Sequence, residues 1–161
     1  MAIHKLLIND FEEVDYQLIA IHTALENYRI AFFINQQLPI VLSKNKKSIF
    51  IETKEQRTSF CHFDFDDNKK GVFWSLIENK KETVITQSGN LSNLFSEKEG
   101  FTNTFYFLPE FKKVAYFLKI EGEKKQINTD VIIQRLKTIN QVTTVYAVEK
   151  SQIKSKNNLI F

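Results

Sequence analysis

From residue 11 to 35, Val14, Leu18, Ile21, Leu25, Tyr28 and Phe32 recur at steps of four and three. That spacing places side chains on one face of an α-helix. Ala20, Ala24 and Ala31 fall on an adjacent face, and Ile19, Ile30 and Phe33 widen the apolar surface. Asp10 followed three positions later by Glu13 fits a capping box, Glu12 adds negative charge near the positive helix end, and Pro39 stops the run. The pattern predicts a long, largely buried helix over 11–35, preceded by a short strand at 4–8.

The middle of the chain reads as β. Strands are expected over 40–43, 48–53, 60–65, 72–77 and 83–87, with turns at 44–47, 66–71 and 79–81. Within 60–65, Cys61, Phe63 and Phe65 share one face and Phe60, His62 and Asp64 the other; Val72, Trp74 and Leu76 likewise share a face. Residues 88–100 are polar and read as a loop with one helical turn at 91–95. Strands over 102–108 and 114–120 form an expected hairpin across the turn 109–113. A shorter helix capped by Asn128 or Thr129 carries Val131, Ile132, Leu136 and Ile139 on its apolar stripe, and a β-branched strand covers 142–148. The expected architecture is α+β: an antiparallel sheet of about six strands packed by a long N-terminal helix and a shorter C-terminal one. Residues 1–150 make one domain, and 151–161 a polar, frayed tail in which Leu159, Ile160 and Phe161 could dock.

Composition supports a folded chain. Of 161 residues, 43% are hydrophobic and 25% charged, and 15 Phe, 5 Tyr and 1 Trp supply a ring-rich core. The 4 glycines are too scattered to cradle a phosphate, and the single Cys61 forms no internal disulfide. The sequence shows no signal peptide and no apolar run of membrane-spanning length, which points to the cytoplasm and away from the membrane. The net charge of +3 is mild, and it is uneven. Residues 1–38 set Lys5 and Arg29 against Asp10, Glu12, Glu13, Asp15 and Glu26, while lysines gather at 44–47 and in the tail.

The segment 108–118, LPEFKKVAYFL, resembles the signature of the IPExxxVDY family, a group of short proteins of the Bacteroidota. The stretch HKLLINDFEEVDYQLIAIHTALENYRIAFFIN is similar to that family's N-terminal block, and the likeness runs from residue 4 to about 148. Leu108 stands where the family name has Ile, and Ala115 where it has Asp, so a carboxylate at that position has no counterpart here. The resemblance implies no assigned activity. It does imply genes for ribonuclease III and pyruvate kinase as frequent neighbours.

Candidate chemistry is sparse. Cys61 and His62 are adjacent on a strand and point to opposite faces, so they form no nucleophile–base pair; Cys61 is expected buried. His62 and Asp64 share a face, either as a polar pair on a solvated sheet face or as a site where the acid orients the imidazole, although a third group is not identified. On the predicted helix, Asp15, His22, Glu26 and Arg29 form a polar stripe, either a network of side-chain pairs where the helix leaves the sheet or a surface whose carboxylates raise the His22 pKa and bind a partner's polar group. Glu110 and Phe111 occupy the tip of the 109–113 turn, where they either satisfy the turn or meet a partner. Lys44, Lys46 and Lys47, with Lys69 and Lys70, could form a basic strip for RNA, or simply keep sheet edges soluble. No cofactor or metal is implied. The reading favours a non-enzymatic interaction module, an adaptor or regulator, that binds another cytoplasmic protein or itself. An RNA-associated protein is the alternative, and an enzyme using His22 or His62 the third.

Overall fold

Leu18, Ile19, Ala20 and Ile21 are all buried, and the segment that carries them is a strand, β1 (Tyr16–Thr23). In a strand, successive side chains point to opposite faces. Ile19 and Ile21 pack with the helices, and Leu18 and Ala20 pack on the other side. A strand covered on both faces shows an unbroken apolar run, which periodicity does not distinguish from a buried helix. The computed structural model describes residues 15–54, 56–85 and 101–161. It therefore corrects the helix expected over 11–35: β1 takes the middle of that stretch and α1 (Asn27–Gln37) its end. The capping box at Asp10, Glu12 and Glu13 and the strand at 4–8 lie outside the described residues, as does the 88–100 loop with its helical turn.

Thr23 makes the break between strand and helix. Its hydroxyl donates to the Gln141 carbonyl at 2.7 Å and accepts from the Leu25 amide at 3.1 Å. α1 ends at Leu38, whose backbone is extended, as the residue before Pro39 should be. Ile30, Ala31 and Ile34 are the buried residues of α1. Tyr28 and Phe32, expected on the buried face, are 61% and 57% exposed.

The other elements are β2 (Ser43–Lys44), β3 (Ile49–Glu52), β4 (Arg57–Phe60), β5 (His62–Asp67), β6 (Val72–Glu78), β7 (Lys80–Ile85), β8 (Phe101–Tyr106), β9 (Tyr116–Glu121), α2 (Thr129–Lys137) and β10 (Val142–Ala147). Six strands form an antiparallel sheet in the order β10-β1-β9-β6-β5-β2, while β3–β4 and β7–β8 are separate two-stranded sheets. The fold is α+β, with a six-stranded antiparallel sheet and two helices, the first of them short. Gly71 closes the β5–β6 turn with φ +63°, a conformation that glycine adopts without steric cost.

Both helices cover one face of the large sheet. There Ile30, Ile34, Ile132 and Leu136 meet Ile19, Leu76, Leu118 and Ile120. Asn128 caps α2 as expected, its Oδ1 accepting from the Val131 amide at 3.2 Å. The opposite face carries a second core, in which Phe60, Phe107, Phe117, Ile153 and Leu159 pack on Leu18 and Ala20. The segment expected to fray is part of that core. It folds into short 3-10 turns at Lys150–Gln152 and Lys156–Leu159, with Ile153 and Leu159 buried.

Two strand expectations are corrected by single asparagines. Of 40–43, only Ser43 is in a strand, because the Asn35 side chain takes both the amide and the carbonyl of Leu42, at 2.8 and 3.1 Å. The hairpin expected between 102–108 and 114–120 does not form: β8 pairs with β7, and β9 lies between β1 and β6. Asn79, expected in a turn and in fact wholly buried, occupies the space between them. Its Nδ2 donates to the Phe111 and Val114 carbonyls at 2.9 and 2.8 Å, and its Oδ1 accepts from the Leu108 amide at 2.9 Å. Its backbone adds bonds to Phe107 and Ala115. Among the described residues, no helix is long and apolar enough to cross a membrane.

Candidate functional site

Cross-strand neighbours in a sheet point to the same face. Asp64 on β5 is opposite Ser75 on β6, which is opposite Lys119 on β9, which is opposite Leu18 on β1. A polar row thus crosses the face turned away from the helices, with His62 two residues from Asp64 on the same side. Ser75 and Lys119 each interrupt an apolar strand, in FWSLI and YFLKI.

Lys119 is buried, and its ammonium group is fully engaged. Nζ donates to the Glu121 carboxylate and, at 2.7 Å, to the Leu159 carbonyl. It also lies 4.9 Å from the centre of the Phe161 ring and 5.6 Å from that of Tyr16. The segment 153–161 therefore covers the middle of the polar row, held by a buried cation.

Beyond that cover a cavity of about 580 Å³ opens beside β5. Ile49, Phe50 and Ile51 of β3 form one wall, and Phe73, Ile160 and Phe161 line it elsewhere. Asn45, His62 and Asp64 supply its polar base, with Lys47 and Glu52 among the other lining residues. His62 is 5% exposed. Its Nε2 is 3.1 Å from Asp64 Oδ2, and the same oxygen accepts from Asn45 Nδ2 at 2.7 Å. The third group missing from the sequence reading is thus Asn45, joined by the Ser75 hydroxyl. The Phe161 ring stands edge-on to the imidazole at 5.5 Å.

Burial pushes the Asp64 carboxyl up, but hydrogen bonds from His62, Asn45 and Ser75 outweigh it and hold the carboxyl below its ordinary value. Asp64, not His62, is the centre of this network. An acid that bridges an imidazole and a hydroxyl is a fixed anion, whereas a nucleophilic triad needs the imidazole in the middle. Neither His62 Nδ1 nor Asp64 Oδ1 has a hydrogen-bond partner among the described residues, although both atoms are buried. Leaving such a group unpaired costs roughly 1–3 kcal/mol each.

The residues singled out from sequence are scattered. Asp15 precedes β1 and accepts from Lys150 at 2.7 Å; that bond holds its carboxyl below the ordinary value. His22 lies on β1, 3.4 Å from the Tyr146 hydroxyl. Burial, reinforced by Lys113, pushes its pKa down, so the expected upward shift is corrected. Glu26 is the exposed N-cap residue of α1, and Arg29 is exposed within it. These four residues form no helical stripe, because Asp15 and His22 stand at opposite ends of a strand.

Glu110 is engaged within the chain. Its carboxylate accepts from the amides of Lys154 and Ser155 and from the Ser155 hydroxyl. Phe111 packs edge-on against Phe117, with ring centres 5.8 Å apart. Lys44 belongs to β2, and Lys46 and Lys47 follow it beside the His62 end of β5. Lys69 and Lys70 occupy the turn beyond Asp67, at the other end of that strand, so the five lysines do not converge. Cys61, expected buried, is half-buried in the link between β4 and β5.

Among the described residues, no group of three or more His, Cys, Asp or Glu side chains could hold a metal ion. Comparison of the chain with family models and with curated proteins finds no match.

Proposed function

We propose that the protein is a non-enzymatic interaction module of the cytoplasm, an adaptor or regulatory unit that recognises another protein through the cavity at His62 and Asp64. One observation carries this reading: a fixed carboxylate lies at the base of a cavity whose rim is exposed and apolar. Phe50, Ile160 and Phe161 are all exposed there. A pocket with apolar walls and a few placed polar groups is the usual form of a recognition site. The order of the network supports recognition over proton transfer, since Asp64 is held in its charged form. The likeness to the IPExxxVDY signature belongs to the same reading and adds no chemistry to it.

The test is photo-crosslinking in cells that make the protein naturally. A benzophenone side chain replaces Phe50 in one variant and Lys69 in a control. A discrete protein adduct from position 50 and none from position 69 is the expected result. RNA adducts, or adducts from position 69 alone, would favour the RNA-associated alternative. No adduct from either position defeats the reading.

A further inference from the structure

Ile49, Phe50, Ile51 and Glu52 all line the cavity, although alternate residues of β3 lie on opposite faces. Ile49 and Ile51 pack toward the core, and Phe50 and Glu52 are exposed on the other side. The cavity therefore runs along the edge of the strand. Thr53 fixes the hydrogen-bond phase, since its amide donates to the Gln56 carbonyl at 2.9 Å. In an antiparallel pair, bonded and non-bonded positions alternate. Ile51 and Ile49 thus bond to Thr58 and Phe60 of β4, while Phe50 and Glu52 turn their N–H and C=O groups to the open edge. Among the described residues, no hydrogen bond takes those groups. Other parts of the chain bound the space beside them, including Phe73, Asn157, Asn158, Ile160 and Phe161. In the sum of charges, Lys47 offsets Asp64, and Arg57 offsets Glu52, 3.7 Å away. The Phe50 and Phe161 rings already hold Arg57 and Lys119. What the cavity offers an occupant is main chain and apolar surface, with no net charge.

We infer that the open edge of β3 docks an extended, uncharged segment of the partner protein, which adds to the β3–β4 sheet as a third strand. This rests on the interaction-module reading and names how the partner is held. Main-chain bonds to Phe50 and Glu52 supply the pairing, and alternate side chains supply the fit. At about 3.3 Å per residue, β3 spans about 13 Å and pairs with a segment of its own length. Partner side chains opposite Ile49 and Ile51 share their core-side face, so the segment is apolar at alternate positions. The bounded space suits one strand. A second copy's β3 would bring β4 with it, because its other edge is already bonded.

The probes are acetyl-Thr-Val-Thr-Val-Thr-amide and the same peptide N-methylated at every residue, titrated at neutral pH into the isotope-labelled full chain. Hydrogen exchange is followed amide by amide. The unmodified peptide should bind saturably and slow exchange at Phe50 and Glu52 about tenfold, with little change at Ile51, which β4 already holds. The methylated peptide, stripped of its ladder donors, should bind roughly tenfold more weakly. Phe50→Pro and Glu52→Pro each remove one outward N–H and no bond to β4, a place where an edge strand tolerates proline. Each should bind the peptide roughly tenfold more weakly than Phe50→Ala or Glu52→Ala, which keep the amide. A gap at either position upholds the inference. Equal binding of proline and alanine variants at both positions, equal binding of the two peptides, or no saturable protection at Phe50 and Glu52 overturns it. Should the proline variants fail to fold, the methylated peptide decides alone. Protection of the same amides that grows with protein concentration and needs no peptide hands the edge to a second copy and overturns the partner segment. Failure here with a protein adduct at position 50 removes the strand pairing and leaves the module. Protection by the peptide without any adduct does the reverse.

Discussion

The carboxylate of Glu110 accepts two hydrogen bonds from Ser155, one from its amide at 2.9 Å and one from its hydroxyl at 3.0 Å. A third comes from the Lys154 amide at 2.8 Å. One side chain in the turn before β9 thus anchors the segment that covers the polar face. Glu110→Ala should lower stability by about 1–2 kcal/mol, less than buried bonds would give because water shares the site. Faster hydrogen exchange at the Lys154 and Ser155 amides should accompany the loss. Unchanged exchange at both would show that the segment is held without Glu110.

The same contacts set a pH dependence. Burial raises the Glu110 carboxyl, but the amide bonds prevail and hold it below its ordinary 4.5; Asp64 is likewise held below 3.8. A carboxyl whose folded pKa is depressed adds stability that is complete above its unfolded value. That stability is lost as pH falls through the folded value. Urea midpoints should therefore decline below about pH 4.5, and the Glu110→Gln, Asp64→Asn double variant should decline less. Parallel curves would refute the assignment.

Glu78 behaves in the opposite sense. Burial pushes its carboxyl up, against Lys81, Asn27 and Lys44, and Oε2 has no hydrogen-bond partner among the described residues. Its ionisation costs stability as pH rises from 4.5 through the folded value. Glu78→Gln should therefore stabilise the protein by about 1 kcal/mol at pH 7 and by less at pH 4. Thermal melts at the two pH values decide it, and a gain no larger at pH 7 counts against the argument.

Asn79 offers the sharpest test of the fold. Asn79→Ala strands the Leu108 amide and deprives the Phe111 and Val114 carbonyls of their donor, a loss of about 3 kcal/mol or more. Asn79→Asp should be worse, since an oxygen would then face both carbonyls. Denaturant unfolding of the two variants gives the order, and a mild effect from both would mean that the connection holds itself.

Leu159→Ala should cost about 2–4 kcal/mol, the usual range for a large-to-small change in a packed core. A polar tail lying loosely on the surface would lose almost nothing, so equilibrium unfolding separates the two cases.

The α2 cap, the Pro39 stop and the strands around Phe63 and Leu76 were legible because each has a local signal. β1 was not, since burial on both faces erases the alternation that marks a strand. Nor was the course of 107–115, because it depends on Asn79 reaching residues 28 to 36 positions away. At the candidate site, the sequence showed that His62 and Asp64 share a face. Asn45, Ser75 and Phe161 join them only through strand register and the path of the last segment. A lone polar residue inside an apolar strand, as at Ser75 and Lys119, was the available hint.

β1 lies between β9 and β10, so the strand made earliest among those described needs both of its partners from the final third of the chain. On the ribosome β1 has no neighbouring strand until β9 has been made, and its other edge stays open until residue 147 has emerged. Assembly of the sheet is then a late, chain-wide event governed by distant contacts, the class of topology that folds slowly. During that wait, the nascent polypeptide presents an apolar ribbon, and surface of that kind is prone to aggregate.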